Sequence, residues 1–84
     1  MRVNKDAGDE AAGVVIEDVL ADSAAAAAGL RRGDRLLTLA GRWTDSVADC
    51  YQAAGLLRAG TIVTLVVLRE GKQVELKVTP RAGL

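Results

Sequence analysis

Apolar positions along the chain fall into two kinds of run, one alternating and one with helical spacing. Gly13-Val-Val-Ile-Glu-Asp-Val19 is a β-branched run bounded by Gly13 and Asp22, and it predicts a strand. Lys72–Thr79 alternates strictly, with Val74, Leu76 and Val78 on one face and Gln73, Glu75 and Lys77 on the other. Thr61–Leu68 is apolar on both faces, as a central strand requires. Glu70-Gly71 joins these two runs as a hairpin turn. Arg35–Ala40 reads as a further strand ended by Gly41, with Leu37 and Leu39 on one face and Leu36 on the other. Met1–Asn4 predicts a short strand and Lys5–Ala12 a polar, glycine-containing loop.

Two segments carry helix signals instead. Asp22 or Ser23 caps an alanine run, Ala24–Ala28, and Gly29 closes it, which favours a short packed helix over a linker. Ser46 caps a longer helix over Val47–Arg58, whose apolar stripe is Val47, Cys50, Ala54 and Leu57, with Gly60 as its stop. Between them, Arg31-Arg32-Gly33-Asp34 has turn chemistry, and Pro80 ends the regular structure. The order is strand, strand, short helix, strand, longer helix, hairpin, with no internal repeat. It predicts a small α+β domain with a mostly antiparallel sheet.

Composition narrows the function. At 84 residues there is chain for one domain only, burying roughly 60–65% of its unfolded surface. Half the residues are apolar, the formal charge is zero, there is no His, and Trp43 and Tyr51 are the sole aromatics. A nucleic-acid partner is disfavoured, because phosphate neutralisation needs clustered cations and base stacking needs aromatics. One cysteine, Cys50, allows no intrachain disulfide and no thiolate metal cluster. No apolar run reaches the length of a membrane helix, and the start of the chain lacks signal-peptide order. Because the chain opens on a strand, the expectation is a piece of a longer protein rather than a free cytosolic one.

Catalysis has little to build on. Without His there is no ordinary serine or cysteine triad. Cys50 sits on the apolar helix stripe as a buried thiol. Glu17 and Asp18 are adjacent on a strand and point to opposite faces, while Asp45 and Asp49 share a helix face and complement its dipole. No phosphate-binding glycine loop is present. Arg32-Gly33-Asp34 matches an adhesion tripeptide, but its glycine and aspartate already have turn roles: Asp34 suits bonds to nearby amides. In Ala28–Gly41 the expectation is Leu30, Leu37 and Leu39 buried and the arginines solvated.

The stretch GVVIEDVLADSAAAAAGLRRGDRLLTLAG, with DSVADCYQAAGLLRAGTIVTLVVLREGKQVELKVTP after it, resembles a PDZ domain over about Gly13 to Pro80. The carrying motifs are Ser23 followed by Ala-Gly-Leu at Ala28–Leu30, then Gly33-Asp34 before the leucine strand and Gly41. The closing strand Lys72–Thr79 is similar to the bacterial, circularly permuted type attached to HtrA/Deg-like serine proteases, tail-specific proteases and site-two metalloproteases. Ala24 stands where the family has proline, and Ala40 where it has asparagine.

The resemblance implies a small PDZ-like, partly open antiparallel β-barrel or sandwich with one short and one longer helix. Its single domain spans 1–84: groove strand and loop at 1–12, core at 13–80 and tail at 81–84. It implies a non-catalytic module, without cofactor or metal, that binds peptide or protein C-termini by strand addition. The peptide-binding residues it implies are Met1, Arg2, Val3 and Asn4 on the groove strand, with Met1 and Val3 toward the pocket, and Asp49, Ala53 and Leu56 on the helix. The carboxylate-binding loop falls before Met1, and the parent is a serine or zinc protease, periplasmic or membrane-associated. The alternative is a structural or regulatory interdomain or self-association module, pairing through the sheet edge or the tail Arg81–Leu84.

Overall fold

Six strands and two helices make up a computed structural model that describes residues 1–80, in the order read from the sequence except for one added short strand. They are β1 (Arg2–Asn4), β2 (Val14–Asp18), α1 (Ala24–Ala27), β3 (Arg35–Leu39), β4 (Arg42–Trp43), α2 (Val47–Gly55), β5 (Val63–Arg69) and β6 (Lys72–Val78). The strands pair antiparallel throughout, in the order β1-β2-β3-β5-β6, with β4 pairing β3 off this path. This is the α+β arrangement of an open antiparallel sheet with one short and one longer helix. The tail Arg81–Leu84, and with it the idea that it pairs with another chain, lies outside the described residues.

Both helices start where a serine side chain accepts an orphan amide. Ser23 Oγ accepts from Ala26 N at 3.1 Å, and Ser46 Oγ accepts from Asp49 N at 3.0 Å. The second helix is shorter than its stripe predicts, ending at Gly55 rather than Arg58. Gly55 is a poor helix former, and the chain tightens there: Leu56 N and Leu57 N donate three residues back, to Ala53 O and Ala54 O.

Val14, Ile16, Leu36, Leu39, Leu65, Val67 and Val78 are at most 1% exposed and form the core, with Val3, Ala25, Cys50 and Ala53 packed into the same cluster. Strand β3 does not follow simple alternation. Leu36 pairs with Val67 and Thr38 with Val66, so Leu37 is an extra residue in the ladder. This bulge corrects the face assignment: Leu36 and Leu39 share the core, and Leu37, although buried, stands outside that cluster. Thr44, fully buried, satisfies the disturbed backbone. Its Oγ1 donates to Leu36 O at 2.6 Å, and its amide donates to Leu37 O at 3.1 Å.

The two-residue strand β4 escapes the sequence pattern because Arg42 and Trp43 are both exposed and carry no alternation. It is joined to β3 by Ala40-Gly41, both at positive φ (52° and 79°), the geometry that matches hairpin twist.

The Arg32-Gly33-Asp34 turn is sealed into the fold. Asp34 is 3% exposed. Its carboxylate accepts from Arg31 N at 3.0 Å, Arg69 Nε at 2.8 Å and Arg69 Nη2 at 2.6 Å. The Arg69 guanidinium beside Asp34 holds its carboxyl below the usual range, against the opposing effect of burial. The arginines here are not uniformly solvated. Arg31 and Arg32 are exposed, but the Arg35 side chain is 18% exposed and pairs with Asp9 at 2.6 Å.

Candidate functional site

The site follows from where β1 stands. It ends the sheet order, so one backbone edge pairs with β2 and the other has no strand partner among the described residues. Helix α2 packs against this strand as well as against β3 and β4. One end of the pair is tied: Lys5, just after β1, donates from Nζ to Asp45 O at 2.6 Å, just before α2.

The proposed site residues divide into three groups. Val3 and Ala53, 6% and 4% exposed, belong to one apolar cluster, with Met1 packed at its margin. Asp49 and Leu56 are exposed on α2, and Leu56, the C-cap, does not complete the core. Arg2 and Asn4 bond elsewhere. Arg2 Nε lies 3.3 Å from Glu17 Oε2, and Asn4 Nδ2 donates to Asp6 Oδ1 at 3.1 Å. Both side chains are thus engaged within the strand pair and its following loop.

Asp45 corrects the reading that paired it with Asp49 on a helix face. It precedes the helix, and its Oδ1 accepts from Gly13 N at 3.1 Å. Gly13 itself admits no side chain, for a Cβ there would lie 2.4 Å from Leu36 O at a φ of +85°. Lys5 and Asp45 were not binding candidates from sequence, because the bond between them spans 40 residues and that from Gly13 N to Asp45 spans 32. Tyr51 on α2 and Trp43 on β4 are also substantially exposed beside this region.

Chemically the site offers hydrogen-bonding backbone, an apolar floor and one carboxylate. It offers no nucleophile. Cys50 is buried in it, and burial pushes its thiol up to about 11, so it is protonated at neutral pH. An open cleft of about 420 Å³ lies on the β2 side and shares Arg2 with this site, its lining being Arg2, Val15, Ile16, Glu17, Arg32 and Gly33. It contains an arginine–glutamate pair and no pocket-forming aromatic, and we place the site at the strand edge instead.

Comparison with known proteins bears out the family and the fold. A family profile described as PDZ domain matches residues 1–79. A DegP-like periplasmic serine endoprotease of Pseudomonas putida is 38% identical over 82 residues, covering 92% of this chain and 17% of its own. A Mesorhizobium japonicum protein named as a zinc metalloprotease is 37% identical over 67 residues, covering 80% and 18%. Among solved structures, the HtrA-type protease AlgW with a decapeptide superposes with a TM-score of 0.77 at 33% identity, covering 83% of this chain and 22% of that one. The serine endoprotease from Yersinia pestis gives 0.79 at 29% identity, covering 86% and 26%. The chain thus spans less than a third of the length of each of these relatives.

Proposed function

The chain belongs to the PDZ family, and from that premise we propose that it binds extended peptide segments, free carboxyl termini above all, by adding them as a strand to β1 beside α2. The observation that carries this reading is the outer edge of β1, which has no strand partner among the described residues and lies against helix α2. The nine residues of α2 run about 13 Å, which faces roughly four residues of extended peptide. The backbone of Met1–Asn4 pairs with the peptide, Met1 and Val3 form the apolar floor with Ala53, and Leu56 lines the pocket for the terminal side chain. Asp49 meets the residue two places upstream and favours Lys, Arg or a hydroxyl there. A small or branched apolar residue suits the terminal position.

Magnitudes favour transient binding. One buried apolar side chain contributes about 1.5–3 kcal/mol, and each strand hydrogen bond about 0.5–1.5 kcal/mol. With about four such bonds, and association costing at least roughly 4 kcal/mol, at most about 5 kcal/mol remains, which is a dissociation constant of hundreds of micromolar and far from nanomolar. Such binding suits a module that tethers substrate to an attached protease, and relatives named as periplasmic serine endoproteases support a periplasmic parent of that type. The test is fluorescence anisotropy with a panel of labelled decapeptides, each with a free or an amidated C-terminus. We expect loss of binding on amidation, and Asp49→Lys to reverse the charge preference two residues upstream. Binding to neither form refutes the reading.

The vacant β1 edge also supports a second reading, in which it pairs with another domain or another copy and no free peptide is bound. A sedimentation profile that changes with concentration, without peptide binding, is its signature.

A further inference from the structure

We propose that Lys5 is a positioning residue that fixes the spacing of the groove walls at the start of α2 and thereby tunes which peptides fit; this rests on the peptide-binding reading above. Lys5 follows β1 directly, and its Nζ donates to Asp45 O at 2.6 Å and to Ala11 O at 2.7 Å. One ammonium therefore joins the strand wall, the Lys5–Ala12 loop and the segment leading into the helix wall. An ammonium carries three donors on a flexible stem and suits carbonyls converging from separate segments.

The loop it grips is itself held. Arg35 Nε donates to Ala12 O at 2.6 Å, Arg35 Nη2 pairs with Asp9, and Gly13 N donates to Asp45 Oδ1 at 3.1 Å. Lys5 is thus anchored through β3 rather than to a free loop. Helix α2 packs on the core through Cys50 and Ala53, both small, with Val47 and Ala54 partly buried beside them, so Val47 is the one apolar side chain holding its first turn. A polar tie just ahead of its N-cap therefore has leverage over where that end of the helix sits. Without that tie, the start of α2 is freer to move away from β1, and the groove there loses its fixed width.

The experiment uses Lys5→Met, which keeps the stem and removes the donors, with Lys5→Arg as the conservative variant and Asp45→Ala to cut the neighbouring Gly13 tie. Labelled decapeptides ending in a free-carboxyl valine, with Ala, Lys or Trp two residues upstream, are titrated against each protein, and thermal midpoints are measured alongside. We expect Lys5→Met to melt near the unaltered domain, since its hydrogen bonds to two carbonyls are exposed and water replaces them at little cost. Its affinity for the preferred peptide falls about three- to tenfold, roughly 0.7–1.4 kcal/mol. The Ala-to-Trp affinity ratio moves toward one, Asp45→Ala shifts it in the same direction, and Lys5→Arg restores most of it. Unchanged affinity and ratio in Lys5→Met overturn the inference and leave peptide binding intact. An equal loss for every peptide overturns it too, because a merely structural role predicts that. Failure of the unaltered domain to bind any peptide overturns the peptide-binding reading itself.

Discussion

Replacing Asp34 by alanine removes three hydrogen bonds to one buried carboxylate, from Arg31 N and from two nitrogens of Arg69. Breaking a buried ion pair costs about 3–5 kcal/mol, whereas an exposed one is worth about 0–1 kcal/mol. Asp34 is almost fully covered, but the Arg69 side chain keeps 21% exposure and still donates to Gly29 O at 2.8 Å. The stranded guanidinium is therefore partly solvated, and the expected cost falls between the limits, at about 2–3 kcal/mol. That is a large share of the roughly 4–13 kcal/mol available to a domain of this length. It corresponds to a fall in melting temperature of about 10–20 °C. Urea unfolding at pH 7 measures it directly.

The same substitution carries a pH signature. Arg69 binds the ionised carboxylate, so the folded pKa of Asp34 lies below its unfolded value of about 3.9. The unfolded state then holds more protons in that window, and stability rises with pH across it. The contribution is complete above the unfolded pKa and is lost as pH falls through the folded one. The gap between the unaltered domain and Asp34→Ala is thus constant from pH 7 to about 5 and narrows below about 4. Asp9, lowered chiefly by its bond from Arg35, contributes its own acid limb to both proteins, which is why the difference is the quantity to read. A penalty under about 0.5 kcal/mol at pH 7, or one that does not shrink in acid, refutes this account of the turn.

Three further changes probe the frame around the groove. Thr44→Val keeps the shape but leaves Leu36 O without its donor at the bulge, so chemical unfolding should report a loss of about 1–3 kcal/mol. Gly13→Ala meets Leu36 O at 2.4 Å with φ at +85°, and should cost more than about 2 kcal/mol in the same assay. Ala40→Asn should act in the opposite sense, raising stability by up to about 1 kcal/mol, because Ala40 occupies the left-handed region that asparagine tolerates better. An unchanged or lowered melting temperature counts against that reading of the turn.

Local signals made most of the fold legible. Ser23 and Ser46 mark helix starts, Glu70-Gly71 marks a hairpin, and the alternation of Lys72–Val78 marks a half-buried edge strand. What escaped was non-local. The bulge at Leu37 shifts strand parity only because β5 imposes its register, and no residue of β3 announces it. Arg35 and Arg69 look like surface charge until their carboxylates arrive from 26 and 35 residues away. For the candidate site, periodicity separated the helix faces but did not locate the end of α2, which Gly55 brings forward. Nor did it indicate Lys5, whose partners are main-chain carbonyls and leave no trace in side-chain pattern.

The central claim is that the open edge of β1 and the adjoining face of α2 form a peptide groove. Backbone amide spectra of the isotope-labelled domain, recorded while a free-carboxyl decapeptide is added, test it most directly. The account predicts saturable shifts at Arg2, Val3 and Asn4 and along Asp49–Leu56, with a midpoint of hundreds of micromolar and far smaller changes for the amidated peptide. Shifts confined to the cleft around Val15, Glu17 and Arg32, or no shifts at all, contradict it.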